Sequence, residues 1–238
     1  MLISDSVLFS MTVTIKDKIS MNSQSTQEKT QFILTNAKYA LSFTNGGLLL
    51  NESVKLAVLF MDLGDWKQVR DVVVDQNLLQ IRTLASSIRL CQEICSRLKT
   101  LRYSELKLLV EDSLQDQGYI LWLAICRRYR FIQDFAVQVV REKFLSFNPE
   151  LRYSDFDTFF NEKARWHPEL DAINSVTRVK ARSVLFKMLQ EAKILTADRK
   201  IVVAMLSSAF ITELIAHNRG EICFFPVLEL QIKELSSW

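Results

Sequence analysis

Glycine and proline are scarce in this 238-residue chain, with five and three copies. Both residues punctuate turns and sheets, so long intervals without them leave helices as the main element. Histidine is rarer still. His167 precedes a proline, His217 lies near a predicted helix end, and neither belongs to a nucleophile or metal motif. The four cysteines, Cys91, Cys95, Cys126 and Cys223, sit in apolar surroundings and lack the spacing of a disulfide framework, which reads as reduced core thiols. Cys91 and Cys95 are one helical turn apart, but a zinc site needs three or four protein ligands and no second pair stands at motif spacing. No metal or cofactor is therefore expected. Nor does any apolar run reach the roughly 18 uncharged residues that span a bilayer. "IVVAMLSSAFITELIA" (201–216) contains Glu213, and "YILWLAIC" (119–126) runs into Arg127 and Arg128. The chain does not open on a basic region, apolar core and cleavage site. These absences point to a cytoplasmic protein that does not enter the membrane.

What is present is a succession of amphipathic helices. Residues 1–38 are weakly patterned, apart from an alternation at "VLFSMTVTI" (7–15) that suggests a short strand, and they read as an appendage. From residue 50 the apolar positions Leu50, Val54, Ala57, Val58 and Met61 recur at helical spacing, with Gly64 as a C-terminal cap. Asp65 and Gln68 resemble a capping box for the next helix. A long stripe follows at Ile81, Leu84, Ala85, Ile88, Cys91, Cys95 and Leu98. Ser104 starts a helix that Gly118 closes, 119–147 is helical and rich in aromatics, and a helix bearing Phe156, Phe159 and Phe160 ends before His167 and Pro168. A helix from Thr177 to Ala192 precedes "KIVVAML" (200–206), which reads as a strand. Ser207 or Ser208 then caps a helix to His217, and "EICFFPV" (221–227) reads as a second strand. The expected fold is mainly α: a multi-helix bundle over 39–170 with a small winged-helix-like unit over 171–238. A fully helical tail is the alternative.

The stretch "SFTNGGLLLNES" (42–53) places two of the five glycines side by side. A phosphate loop would need G-x-x-x-x-G-K-[ST], or G-x-G-x-x-G after a strand, and neither is there. No lysine stands beside the glycines, so the pair reads as a hinge into a helix.

The basic residues carry the remaining signal. On the helix near 81–100, Arg82, Arg89 and Arg97 share about a quadrant of the wheel, but Glu93 stands four residues from both Arg89 and Arg97. A salt-bridged solvated face and an anion-binding face are both consistent with that. "RRYR" (127–130) interleaves Arg127, Arg128 and Arg130 with an aromatic, a combination that can meet phosphates and bases. Arg178 and Arg182 lie at the start of a C-terminal helix, with Lys180 and Lys187 on its other flank and Val184, Leu185, Met188, Leu189 and Ala192 on the face expected to pack inward. In helix-turn-helix proteins such a start contacts DNA. The arginine pair is favoured because a first helical turn also offers free N–H groups to phosphate. A solvated face is the competing reading.

The order of "YALSFTNGGLLLNES" (39–53), "DQNLLQIRTLASSIRLCQEICSRL" (75–98), Trp166, "TRVKARSVLFKMLQEAKIL" (177–195) and "GEICFFP" (220–226) resembles the BrxA family, small proteins encoded in BREX bacteriophage-exclusion systems. The resemblance covers about 39–228. It implies a helical protein similar in structure to the RNA-binding antitermination protein NusB and not known as an enzyme. It also implies association with nucleic acid, inside a defence system that methylates host DNA and blocks phage replication. Members labelled as inner-membrane proteins do not match the hydropathy here. The family supplies no catalytic motif to carry onto particular positions. The expectation is a non-enzymatic DNA-binding component, with RNA as a second ligand class and other BREX proteins as partners. The alternative is a protein-interaction scaffold in the BREX complex that does not touch nucleic acid. An enzyme with a dispersed site ranks third.

Overall fold

A computed structural model of the chain describes residues 38–44 and 46–228. The strand expected at 7–15 lies outside them. The chain divides at Lys38–Tyr39, and every helix below belongs to the second unit, Tyr39–Trp238.

Local chemistry sets most helix ends. After a 3-10 turn (Ser42–Thr44), α1 (Leu50–Leu63) ends on Gly64, whose φ of 69° suits a residue without a Cβ. The Asp65 carboxylate accepts the N–H groups of Lys67 and Gln68 and opens α2 (Trp66–Asp75). Thr83 caps α3 (Leu84–Leu98) through the N–H of Ser86. Glu105 accepts the backbone N–H of Arg102 at 2.7 Å and fixes the start of α4 (Tyr103–Glu111). The chain breaks at Asp112, and Ser113 caps α5 (Leu114–Arg128). Gly118, expected to end a helix, lies inside α5. A Cβ there would sit 3.5 Å from Ala192 Cα, an ordinary contact, so this glycine makes no turn and lies beside the Ala192 backbone.

Every residue from Asp116 to Cys126 is buried. A helix apolar on all sides belongs at the centre of a bundle, and α5 packs against α3, α4 and the helix after it. That helix is α6 (Arg130–Phe135), which runs through a π-helical turn (Ala136–Arg141) into α7 (Glu142–Leu145). The short α9 (Pro168–Asp171) links α8 (Tyr153–Ala164) to α10 (Ser175–Glu191). Of the face predicted to pack inward on α10, Leu185, Met188, Leu189 and Ala192 are buried and Val184 is partly so. α11 (Ser208–Asn218), capped by Ser207, leads into a 3-10 helix (Arg219–Phe224).

The architecture is mainly α, as expected, but the two C-terminal strands are not strands. Among the described residues the extended pairings are isolated bridges, Glu150 to Lys200 and Leu195 to Ile201. The 221–227 segment is mostly 3-10 helix, and the Ala204 N–H meets the Pro226 carbonyl at 2.8 Å. Short apolar runs are equally suited to a strand and to a buried irregular segment. Here the hydrogen bonds of the flanking core selected the irregular form.

The core is continuous across residue 170, the expected bundle boundary. Trp122 Nε1 donates to the Phe224 carbonyl at 2.9 Å. Arg127 reaches Glu221 at 2.7 Å, and Ser104 bonds Glu213 on α11. The C-terminal elements are therefore stitched to the bundle by polar contacts as well as apolar ones.

Candidate nucleic-acid interface

The predicted basic residues separate by what their guanidinium groups already hold. Arg127 is the most committed. It donates to Glu105 Oε1 and Oε2 at 2.7 and 2.6 Å, to Glu221 Oε1 and Oε2 at 2.8 and 2.7 Å, and to the Thr100 carbonyl at 2.9 Å. Burial pushes the Glu105 carboxyl up, but hydrogen bonds from Arg127 and the Arg102 N–H outweigh that and hold it below the usual carboxylate range. Arg130 pairs with Asp134 on its own helix at 3.2 Å.

Arg178 and Arg182 converge on one carboxylate. Arg178 donates to Asp157 Oδ1 and to the Asp157 carbonyl, and it lies 4.4 Å over the Phe160 ring. Arg182 bonds Asp157 Oδ2 and lies 4.7 Å over Tyr153. The start of α10 is thus fastened onto α8. On the outer flank Lys180 is exposed, and Lys187 stands 3.6 Å from Glu191.

Three of the predicted arginines are left with their charge toward solvent. Arg82 and Arg89 make no ion pair or hydrogen bond among the described residues, and Arg128 has one long contact, Nε to Ser96 Oγ at 3.3 Å, beside a stacking contact on Tyr129. Arg82 precedes α3 and does not share its helical wheel, but it follows Ile81, which lines the same groove as Arg89 and Arg128. That groove, of about 670 Å³, is completed by Ser42, Ser86, Leu90, Gln92, Glu93 and Ser96.

Why Glu93 does not neutralise Arg89 is explained by Arg97. The sequence placed Arg97 on the same solvent quadrant, but it is 1% exposed. Its Nε donates to Glu93 Oε1 at 2.8 Å, and its Nη1 donates to the Gly47 carbonyl at 2.7 Å. Tyr129 OH also donates to Glu93, and burial together with that bond pushes the phenol up to about 12. Glu93 thus lines the groove with its carboxylate already held by a cation and a phenol, and it makes no ion pair with Arg89. Arg97, the residue that makes the groove positive, was legible only as one more surface arginine. Its carbonyl partner lies 50 residues away in the chain.

The double glycine is a turn, and an anion does occupy it: the chain's own Glu191. Gly46 adopts φ of 86°, and the Leu48 N–H donates to Glu191 Oε2 at 2.5 Å. A second polar cluster joins Ser104, Glu213 and His217. The carboxylate stands in the middle, accepting from the Ser104 hydroxyl and lying 3.0 Å from His217 Nε2. An imidazole that activated the serine would have to stand there instead. Cys91 and Cys95 are buried neighbours. The Cys95 thiol is pushed up by its hydrogen bond with Cys91 and by burial.

A family model for BrxA matches residues 37–218, the span that holds the whole groove and the glycine turn. The chain belongs to the BrxA family. The BREX protein BrxA of Escherichia coli (strain HS) is 27% identical over 155 residues, 65% of this chain and 73% of the relative. The BREX protein BrxA of Bacillus cereus is 23% identical over 154 residues, 65% of this chain and 77% of the relative. A crystal structure of an uncharacterized protein from Magnetospirillum magneticum superposes with a TM-score of 0.70 at 22% identity, over 80% of this chain and all of the other. The helical fold is therefore shared with that structure at 22% identity. Among the described residues of this BrxA chain, no helix is long and apolar enough to cross a membrane.

Proposed function

We propose that this BrxA protein is a non-enzymatic, cytoplasmic DNA-binding component of a BREX bacteriophage-defence system. We further propose that it holds the DNA backbone with Arg82, Arg89 and Arg128. The observation that carries this reading is the division of labour among the arginines. Arg127, Arg130, Arg178 and Arg182 are neutralised by carboxylates. Arg89 and Arg128 converge on one groove without a carboxylate partner. A guanidinium that would otherwise hold only water releases counterions when a phosphate replaces them, which makes the contact sequence-independent and salt-dependent. The test is a titration of duplex DNA at several salt concentrations. Arg89→Ala and Arg128→Ala are each expected to lower the salt slope by about one unit. Lys107→Ala, which removes an exposed cation paired with Glu111 at 4.0 Å, serves as the control. Unchanged affinity and slope in a folded double variant would refute this assignment.

Other BREX proteins are the proposed partners. An interaction-scaffold role has its own support in Trp166, which is 83% exposed, with Val176 and Val179 exposed on α10. Large apolar side chains left in water favour protein contacts over phosphate contacts.

A further inference from the structure

Resting on that reading, we propose that the Arg89–Arg128 groove is a seat for one unpaired nucleotide of a DNA strand, so that the protein prefers DNA carrying a single-stranded segment to blunt duplex. The groove has more in it than a backbone clamp requires. Ser86, Arg89, Gln92 and Ser96 follow one another at three- and four-residue intervals along one face of α3. Arg128 reaches over from the end of α5 to Ser96. Ser96 is seven residues from Arg89, so the backbone of Arg89 and the contact point of Arg128 lie roughly 10 Å apart along the helix. In this proposal each guanidinium takes its own phosphate.

Between them the wall is of a different kind. Leu90 and Ile81 are half-buried aliphatic side chains, and Gln92 presents an exposed amide, which can both donate and accept. In a stacked duplex the base faces are covered by their neighbours and only the edges are open, in the grooves, so no ring can lie on Leu90 and Ile81. An unpaired nucleotide fits the whole groove. Its two flanking phosphates meet Arg89 and Arg128, its ring lies on Leu90 and Ile81, and its edge meets Gln92. The Ser86 hydroxyl, which accepts from Thr83, has its own O–H to offer beside the Arg89 phosphate, whereas the Ser96 hydroxyl already donates to the Glu93 carbonyl. The volume, about 670 Å³, lies in the range of pockets that enclose small ligands. Arg128 lies 5.2 Å from the centroid of the Tyr129 ring, a cation–π contact.

The experiment compares three probes by fluorescence anisotropy: a blunt duplex, the same duplex with a short single-stranded overhang, and AMP as competitor. The overhang is expected to bind about tenfold or more tightly than the blunt end, in line with the contribution of one stacked base. Gln92→Trp fills the groove from an exposed helical position and leaves both arginines in place. It is expected to abolish the overhang advantage, with an unchanged melting temperature as proof of folding. Equal affinity of the wild type for both DNAs, with the Arg89 and Arg128 dependence intact, overturns the nucleotide seat and leaves backbone binding standing. An overhang advantage that survives Gln92→Trp also overturns it. AMP binding that Gln92→Trp removes, without any overhang advantage, overturns it in favour of a free nucleotide. No binding of either DNA refutes the proposed function itself.

Discussion

A Cβ placed on Gly47 would lie 2.3 Å from Glu191 Oε2, closer than real atoms come. The obstacle is the far end of a flexible side chain, so Gly47→Ala is expected to displace the carboxylate without unfolding the turn. The Leu48 N–H then loses a charge-assisted partner, at a cost of about 1–3 kcal/mol. In a Glu191→Ala background that partner is already gone, and the same glycine substitution should cost clearly less. Equal losses of melting temperature in both backgrounds would show that the glycine matters for some other reason. The sequence identified the glycines as a turn but could not have identified what occupies it. The short-range features were legible because their causes are local: Asp65 caps a helix whose N–H groups are two and three residues away. Glu191 stands 143 residues from Leu48.

At the scale of the element, α10 shows how an arginine pair can look like a ligand site and act as a fastening. Arg178 and Arg182 are one turn apart, as their spacing predicted, but α8 brings Asp157 between them from 21 and 25 residues away. Alanine at either position is expected to cost about 1–2 kcal/mol of stability, through the lost ion pair and the lost stacking on Phe160 or Tyr153. The slope of DNA affinity with salt should stay nearly unchanged. Asp157→Ala gives the complementary result: two arginines lose their counter-charge, and DNA affinity and its salt slope rise. Thermal melting and a salt titration on the three variants check both halves. On α3 the same kind of ambiguity resolved the other way. Glu93 is four residues from Arg89 and from Arg97, and only burial of Arg97 decides which one it neutralises. Periodicity gives the face of a helix but not the identity of what packs against it, so the irregular C-terminal segments and the occupied arginines escaped the sequence for the same reason.

For the whole molecule, the ties around Arg127 set a dependence on acid. Glu105 comes from α4, Arg127 from α5 and Glu221 from the 3-10 helix 94 residues further on. The folded state holds the Glu105 carboxyl below its ordinary value of about 4.3. Folding is therefore favoured by this group above that pH, and the contribution is lost as pH falls through the lower folded value. The melting temperature should be level above about pH 5 and fall on acidification below about pH 4. Glu105→Gln should flatten that fall. It should also cost about 3 kcal/mol at neutral pH, because Arg127 keeps one of its two carboxylates and loses the other. A melting series from pH 3 to 7 on both proteins tests the sign. The helical class, most helix boundaries and the inward face of α10 were legible from composition and spacing. The joining of the C-terminal elements to the bundle was not, since it depends on buried charges whose partners meet only after folding.

The distance along the chain from the glycine turn to its carboxylate has a consequence for how the protein is made. A ribosome adding about 5–20 residues per second needs roughly 7–30 s to travel from Leu48 to Glu191. Throughout that interval the turn that introduces α1 has no partner for its Leu48 N–H. The first helices can coil as they emerge, but the turn that precedes them can be completed only when α10 has left the exit tunnel and docked. The nascent chain therefore carries an unfinished turn ahead of α1 until α10 has emerged.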